Sequence, residues 1–66
     1  MQIILNGEPR ELADDTTLGQ LIDRLGLAGR RYAIEIDEEL VPRSQQAARV
    51  LRDGERVEIV QAIGGG

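Results

Sequence analysis

The stretch DDTTLGQLIDRLG, Asp14 to Gly26, decides how the chain is read. Leu18, Leu21, Ile22 and Leu25 stand at i, i+3, i+4 and i+7, which gathers them on one face of a helix. Thr17, with Gln20 three residues on, matches a capping box, and Asp14 and Asp15 bring negative charge to the positive end of the helix dipole. Gly26 suits the left-handed residue that closes a helix, and Leu27 can make the apolar contact that accompanies it. Gly19 costs the first turn up to about 1 kcal/mol of helix propensity, and the apolar stripe outweighs that cost.

Outward from this helix the period falls to two on both sides. Upstream, QIILN places Ile3 and Leu5 on one face and Ile4 on the other. Asn6-Gly7 is a two-residue hairpin signal, so EPREL reads as a return strand. Pro9 has no amide to give to a ladder, which puts this second strand at a sheet edge. Downstream, YAIEI alternates with Ile34 and Ile36 toward the core. Asp37-Glu38-Glu39 makes a turn and LVPR returns as a fourth strand, with Pro42 again marking an edge. SQQAARVL offers Ser44 as the cap of a short helical turn that buries Val50 and Leu51. Asp53-Gly54 then turns the chain into RVEIV, where Val57 and Ile59 alternate with Glu58 and Val60.

The expected architecture is α+β. A mixed five-stranded sheet has Pro-bearing strands two and four outside and strands one, three and five inside, and one helix covers one face. This is the β-grasp arrangement of ubiquitin-like proteins. The domain is expected over residues 1–62, followed by a flexible C-terminal tail over 63–66. No internal repeat or linker is evident.

Composition narrows the function. The 66 residues hold no cysteine and no histidine, and all eight cations are arginine. Disulfides, zinc-thiolate sites, an imidazole base and a Schiff-base lysine are therefore excluded. Carboxylates, hydroxyls, Tyr32 and the chain termini remain, a poor set for stand-alone catalysis. The net charge of −4 and the single aromatic residue argue against nucleic acid as a partner. No apolar run approaches a membrane span and the start lacks a signal-peptide pattern, so a cytoplasmic protein is expected.

The chain closes on QAIGGG. Fully extended, Gly64, Gly65 and Gly66 reach about 10 Å past the last packed side chain at roughly 3.3–3.6 Å per residue. Without Cβ atoms they can enter a narrow slot. The carboxylate of Gly66 is a poor acyl donor until activated, so a partner must supply ATP chemistry.

MQIILNG at the start, TTLGQLIDRL in the helix, AIEIDEELVPR in the middle and DGERVEIVQAIGGG at the end together resemble the ThiS family of sulfur carriers over essentially the whole chain. Gly65 and Gly66 match the diglycine shared by ubiquitin-like carriers, and Gly64 falls where another small residue is common. The Val41-Pro42-Arg43 segment and Gln61 before Ile63 point more narrowly to ThiS. The resemblance implies a carrier and not an enzyme, with no bound cofactor. A ThiF-type adenylyltransferase would use ATP and magnesium to adenylate Gly66. Sulfur from a donor such as a cysteine desulfurase would make a thiocarboxylate, and a ThiG-type thiazole synthase would receive it. The alternatives are a molybdopterin-synthase small subunit, a ubiquitin-like modifier, or a binding module with an inert tail.

Ile4 and Val60 alternate outward and are expected, with Ile63 and the tail, to form an apolar patch for the adenylating partner. Asp14-Asp15 and Asp37-Glu38-Glu39 read as helix-start charge and a solvated turn, not as a cation site. Tyr32 reads as strand packing, and Arg10, Arg30, Arg31 and Arg43 as surface solvation.

Overall fold

The computed structural model of the chain describes residues 1–61. The elements run β1 (Gln2–Leu5), β2 (Glu8–Glu11), α1 (Leu18–Arg24), β3 (Tyr32–Ile36), β4 (Glu39–Leu40), α2 (Arg43–Gln46) and β5 (Arg56–Gln61). The sheet order is β2-β1-β5-β3-β4, with β1 and β5 parallel and every other pair antiparallel. The edges are the strands that the prolines marked, and β5 lies at the centre.

The first hairpin turns on Asn6 and Gly7, both left-handed at φ 48° and 84°, the pair of positive angles that matches the strand twist. Pro9 sits opposite Ile4 on the outer strand, where its missing amide disrupts no second ladder.

Helix α1 begins and ends as its sequence dictates. Thr17 Oγ1 accepts from the Gln20 amide at 3.1 Å, and the Gln20 side chain accepts from the Thr17 amide at 2.9 Å. At the other end Leu27 N donates to Ile22 O and Gly26 N to Asp23 O, both at 3.1 Å, with Gly26 at φ 72°. These are the paired bonds of a Schellman ending. Leu18, Leu21 and Ile22 then pack in one cluster with Ile3, Leu5, Ile34, Ile36, Val57 and Ile59 from the three inner strands. Each side chain of this size contributes roughly 1.5–3 kcal/mol on full burial.

Three local expectations are corrected. β4 is only two residues long: Val41 N still donates to Ile34 O, but Pro42 leaves the sheet and becomes the N-cap of α2. The fixed φ of proline, here −59°, suits a helix start as well as an edge strand. Ser44 accordingly lies inside the helical turn, and no side chain caps it. Val50 is 43% exposed while Leu51 is buried. The segment is extended there: Leu18 N donates to Arg49 O and Leu51 N to Thr16 O, so Leu51 points inward and Val50 outward.

Arg43 departs from simple surface solvation. Its guanidinium lies 4.6 Å from the centroid of the Tyr32 ring and donates to Arg30 O, a cation–π contact of about 0.5–1 kcal/mol. Among the described residues no helix is long and apolar enough to cross a membrane.

Candidate functional site

The central strand β5 leads directly to the residues of interest. Val57 and Ile59 point under α1 and are buried, whereas Glu58 and Val60 point to the open face. On one flank β3 pairs with it up to Gln61, opposite Tyr32, the first residue of β3. On the other flank β1 pairs at Arg56 and Val57 and then turns away. The strand ends at Gln61. Ile63, Gly64, Gly65 and Gly66, expected to form the tail, lie outside the described residues, as does the expected domain boundary at 62/63.

Beneath the end of β5, on the helix side, an open hollow of about 370 Å³ is lined by apolar Leu5, Leu25, Leu27 and Ile59 and by polar Asn6, Glu8, Arg10 and Gln61.

The open face carries two exposed large apolar residues, Leu40 and Val60, each 67% accessible. Ile4 shares this face but is half-buried. The register sets it opposite Arg56, four residues before Val60, so about 13 Å of strand separates the two at 3.3 Å per residue. Between them on β5 stands Glu58, directly opposite Glu35 of β3, with Leu40 across from Glu35. Like charges placed this way destabilise a sheet. The face thus carries the Glu35–Glu58 pair with Val60 and Leu40 beside it and Arg56 between Glu58 and Ile4, and not a continuous apolar patch running from Ile4 to Val60.

Two residues of this region, Leu40 and Asn6, are not among the site residues expected from the sequence. For Leu40 the signal was present: if Val41 faces inward, alternation turns Leu40 out. For Asn6 only its turn role is written locally, because its side chain bonds to Ile59, 53 residues away.

Among the described residues no group of three or more acidic side chains is placed to hold a metal ion. The acidic residues Asp37 and Glu38 form a left-handed turn at φ 50° and 70°. Asp37 Oδ1 accepts from Arg56 N at 3.0 Å, and Asp37 N donates to Arg56 O at 2.8 Å. Its carboxylate is committed to tying down the start of β5.

The chain matches the model of the ThiS family over residues 3–66. It is 32% identical to the sulfur carrier protein ThiS of Escherichia coli over the full length of both chains. It is also 39% identical over all its residues to a thiazole synthase of Paramagnetospirillum magneticum, of which it spans about a fifth (20%). The crystal structure of the thiamine biosynthesis protein ThiS from Geobacter metallireducens superposes with a TM-score of 0.82 at 28% identity, covering both chains completely.

Proposed function

The chain belongs to the ThiS family, and on that premise we propose that it is a sulfur carrier of thiamine biosynthesis, with the C-terminal carboxylate of Gly66 as the sulfur-bearing group. The observation that carries this reading is the family match running through residue 66, which takes in Gly65 and Gly66. The chemistry agrees: a chain without cysteine, histidine or lysine holds no side-chain thiol, imidazole or amine to carry an acyl or sulfur group.

The carrier is a co-substrate and binds no cofactor of its own. A ThiF-type adenylyltransferase, using ATP and magnesium, joins the Gly66 carboxylate to AMP and releases pyrophosphate. A persulfide, such as that of a cysteine desulfurase, attacks the acyl carbon and displaces AMP. Thiol reduction of the resulting acyl disulfide leaves the thiocarboxylate. A ThiG-type thiazole synthase then takes the sulfur. A region alike to this chain inside the Paramagnetospirillum magneticum thiazole synthase supports that partnership.

The activating partner docks on the open face in this proposal. Glu35 and Glu58 offer paired negative charge for arginine or lysine, and Val60 and Leu40 offer apolar anchors beside it. Ile4 contributes at the margin of this surface, and Ile63 at the base of the tail.

Intact-mass spectrometry after incubation with adenylating enzyme, ATP and a sulfur donor tests the reading. Exchange of one oxygen for one sulfur, mapped to Gly66, is the expected result. An unchanged mass, under conditions where the Escherichia coli carrier is charged, overturns it.

A further inference from the structure

The amide of Asn6 completes a strand that the main chain abandons. Along β1 the ladder to β5 is made by Ile4 N donating to Glu55 O and Asn6 N donating to Val57 O, both at 2.9 Å. At that point the backbone of Asn6, at φ 48°, turns toward β2. The next rung is supplied by its side chain. Ile59 N donates to Asn6 Oδ1 at 2.8 Å, and Asn6 Nδ2 donates to Ile59 O at 3.4 Å. One primary amide thus imitates a further strand residue, in a partly buried setting.

This rung lies where β5 is about to end. On the β3 flank the last pair is Gln61 with Tyr32. The Ile59 N–H and C=O both point to the β1 flank, where the Asn6 amide is their partner, while Ile34 of β3 stands opposite Ile59 in the register. Asp37 plays the corresponding part at the start of β5, on Arg56. Two left-handed turn residues, one from each neighbouring hairpin, hold the central strand at its two ends.

We propose that Asn6 is a positioning residue for the terminal carboxylate: its side-chain clamp on Ile59 fixes the direction in which the chain leaves the sheet, and through it the rate of adenylation once the carrier is docked. The inference rests on the sulfur-carrier reading above. Two strand residues, Val60 and Gln61, follow the clamp, and among the described residues the Asn6 amide is the last partner of β5 on the β1 flank after the pairing at Val57. A misplacement of about 1 Å at a reacting centre can cost about 100-fold in rate. Removing the amide also leaves Ile59 N–H and C=O without their partner on that flank, which loosens the pivot.

The test uses the full chain and three variants. Asn6→Gly keeps a residue that accepts positive φ while deleting the clamp. Asn6→Asp keeps the acceptor for Ile59 N. Ile36→Val, in the core away from the exit, is a control for lost stability. For Asn6→Gly, kcat for adenylation falls about tenfold while KM for the carrier stays within about twofold, because the open face is untouched. Its Ile59 amide exchanges with solvent at least about tenfold faster, while Val57 is unchanged. Asn6→Asp, which keeps the acceptor but loses the donor to Ile59 O, recovers part of the lost kcat, and Ile36→Val retains the wild-type value. An Asn6→Gly chain with wild-type kcat, or an Ile36→Val chain that loses as much, overturns the positioning role. An unaltered Ile59 exchange rate overturns the clamp. A wild-type chain that is never adenylated defeats the sulfur-carrier reading instead, and the two failures are thereby told apart.

Discussion

Gly19 on helix α1 lies against the main chain of Ala47: a Cβ at this position would stand 2.7 Å from the Ala47 carbonyl oxygen and 2.9 Å from its Cα. The glycine in the helix stripe is thus a contact requirement. Gly19→Ala gains up to about 1 kcal/mol of helix propensity, but it must push the backbone after α2 away from the helix. Overpacking of this kind costs typically about 1–3 kcal/mol, so with the full helix gain counted the net effect is a loss of up to about 2 kcal/mol. Urea unfolding measures it, and a variant more stable than wild type contradicts the close approach.

The second hairpin turn makes the opposite case. Glu38 is held at φ 70°, a conformation that costs a residue with a Cβ about 1–2 kcal/mol. Asp37 beside it is compensated by its two bonds to Arg56. Glu38→Gly creates the Asp-Gly pair preferred in such turns and is expected to stabilise the domain by about 0.5–1 kcal/mol after glycine's entropy is counted. A thermal melt that falls below wild type refutes this.

These two positions mark the limit of what the sequence discloses. The capping box at Thr17 and Gln20 and the ending at Gly26 are local devices, and both form as written. Pro9 identifies its strand as an edge because a missing amide constrains pairing wherever the strand lies. Pro42 names the correct edge for a different reason, since it has already left β4 to start α2. Val50 points outward because its segment pairs with Thr17 across the fold, a contact that helical spacing could not reveal. Gly19 against Ala47 and Asn6 against Ile59 are likewise long-range, and composition at one site carries no trace of the other.

Acid should weaken the domain partly through Glu55. Burial works to raise the pKa of its carboxyl, but hydrogen bonds from the Arg49 guanidinium and the Arg52 amide, with the Arg49 charge, outweigh burial and hold it below the ordinary 4.5. The Arg49 pair is two-pronged, Nη2 to Oε2 at 2.6 Å and Nη1 to Oε1 at 3.1 Å. A depressed folded-state pKa gives stability that is complete above the unfolded value and is lost as pH falls through the folded one. Glu55→Gln should cost about 1–2 kcal/mol at neutral pH, and its stability should fall less than that of wild type on acidification. Urea midpoints from neutral pH down through the carboxylate range decide it: curves that stay parallel remove Glu55 from the acid response.

On the open face, stability and docking should move in opposite directions. Glu58 faces Glu35 across β3 and β5, so Glu58→Gln relieves repulsion and should raise stability by up to about 0.5 kcal/mol. The same change should raise the carrier's KM with the adenylating enzyme severalfold by removing complementary charge. Val60→Ser, at a residue 67% exposed, should leave stability within about 0.5 kcal/mol and raise KM about tenfold. If neither variant shifts KM, the partner docks elsewhere.

The sharpest demand falls on the last residue. β5 ends at Gln61, and Ile59 is its last buried side chain. Deleting Gly66, or adding one alanine after it, should therefore change unfolding free energy by less than about 0.5 kcal/mol. Either change moves the terminal carboxylate along the chain by roughly 3.3–3.6 Å, beyond what adenylation geometry tolerates, and the oxygen-to-sulfur exchange should vanish. Intact mass and urea unfolding on the same preparations separate lost chemistry from lost folding. An alanine-extended chain charged at the wild-type rate would place the acceptor somewhere other than the Gly66 carboxylate.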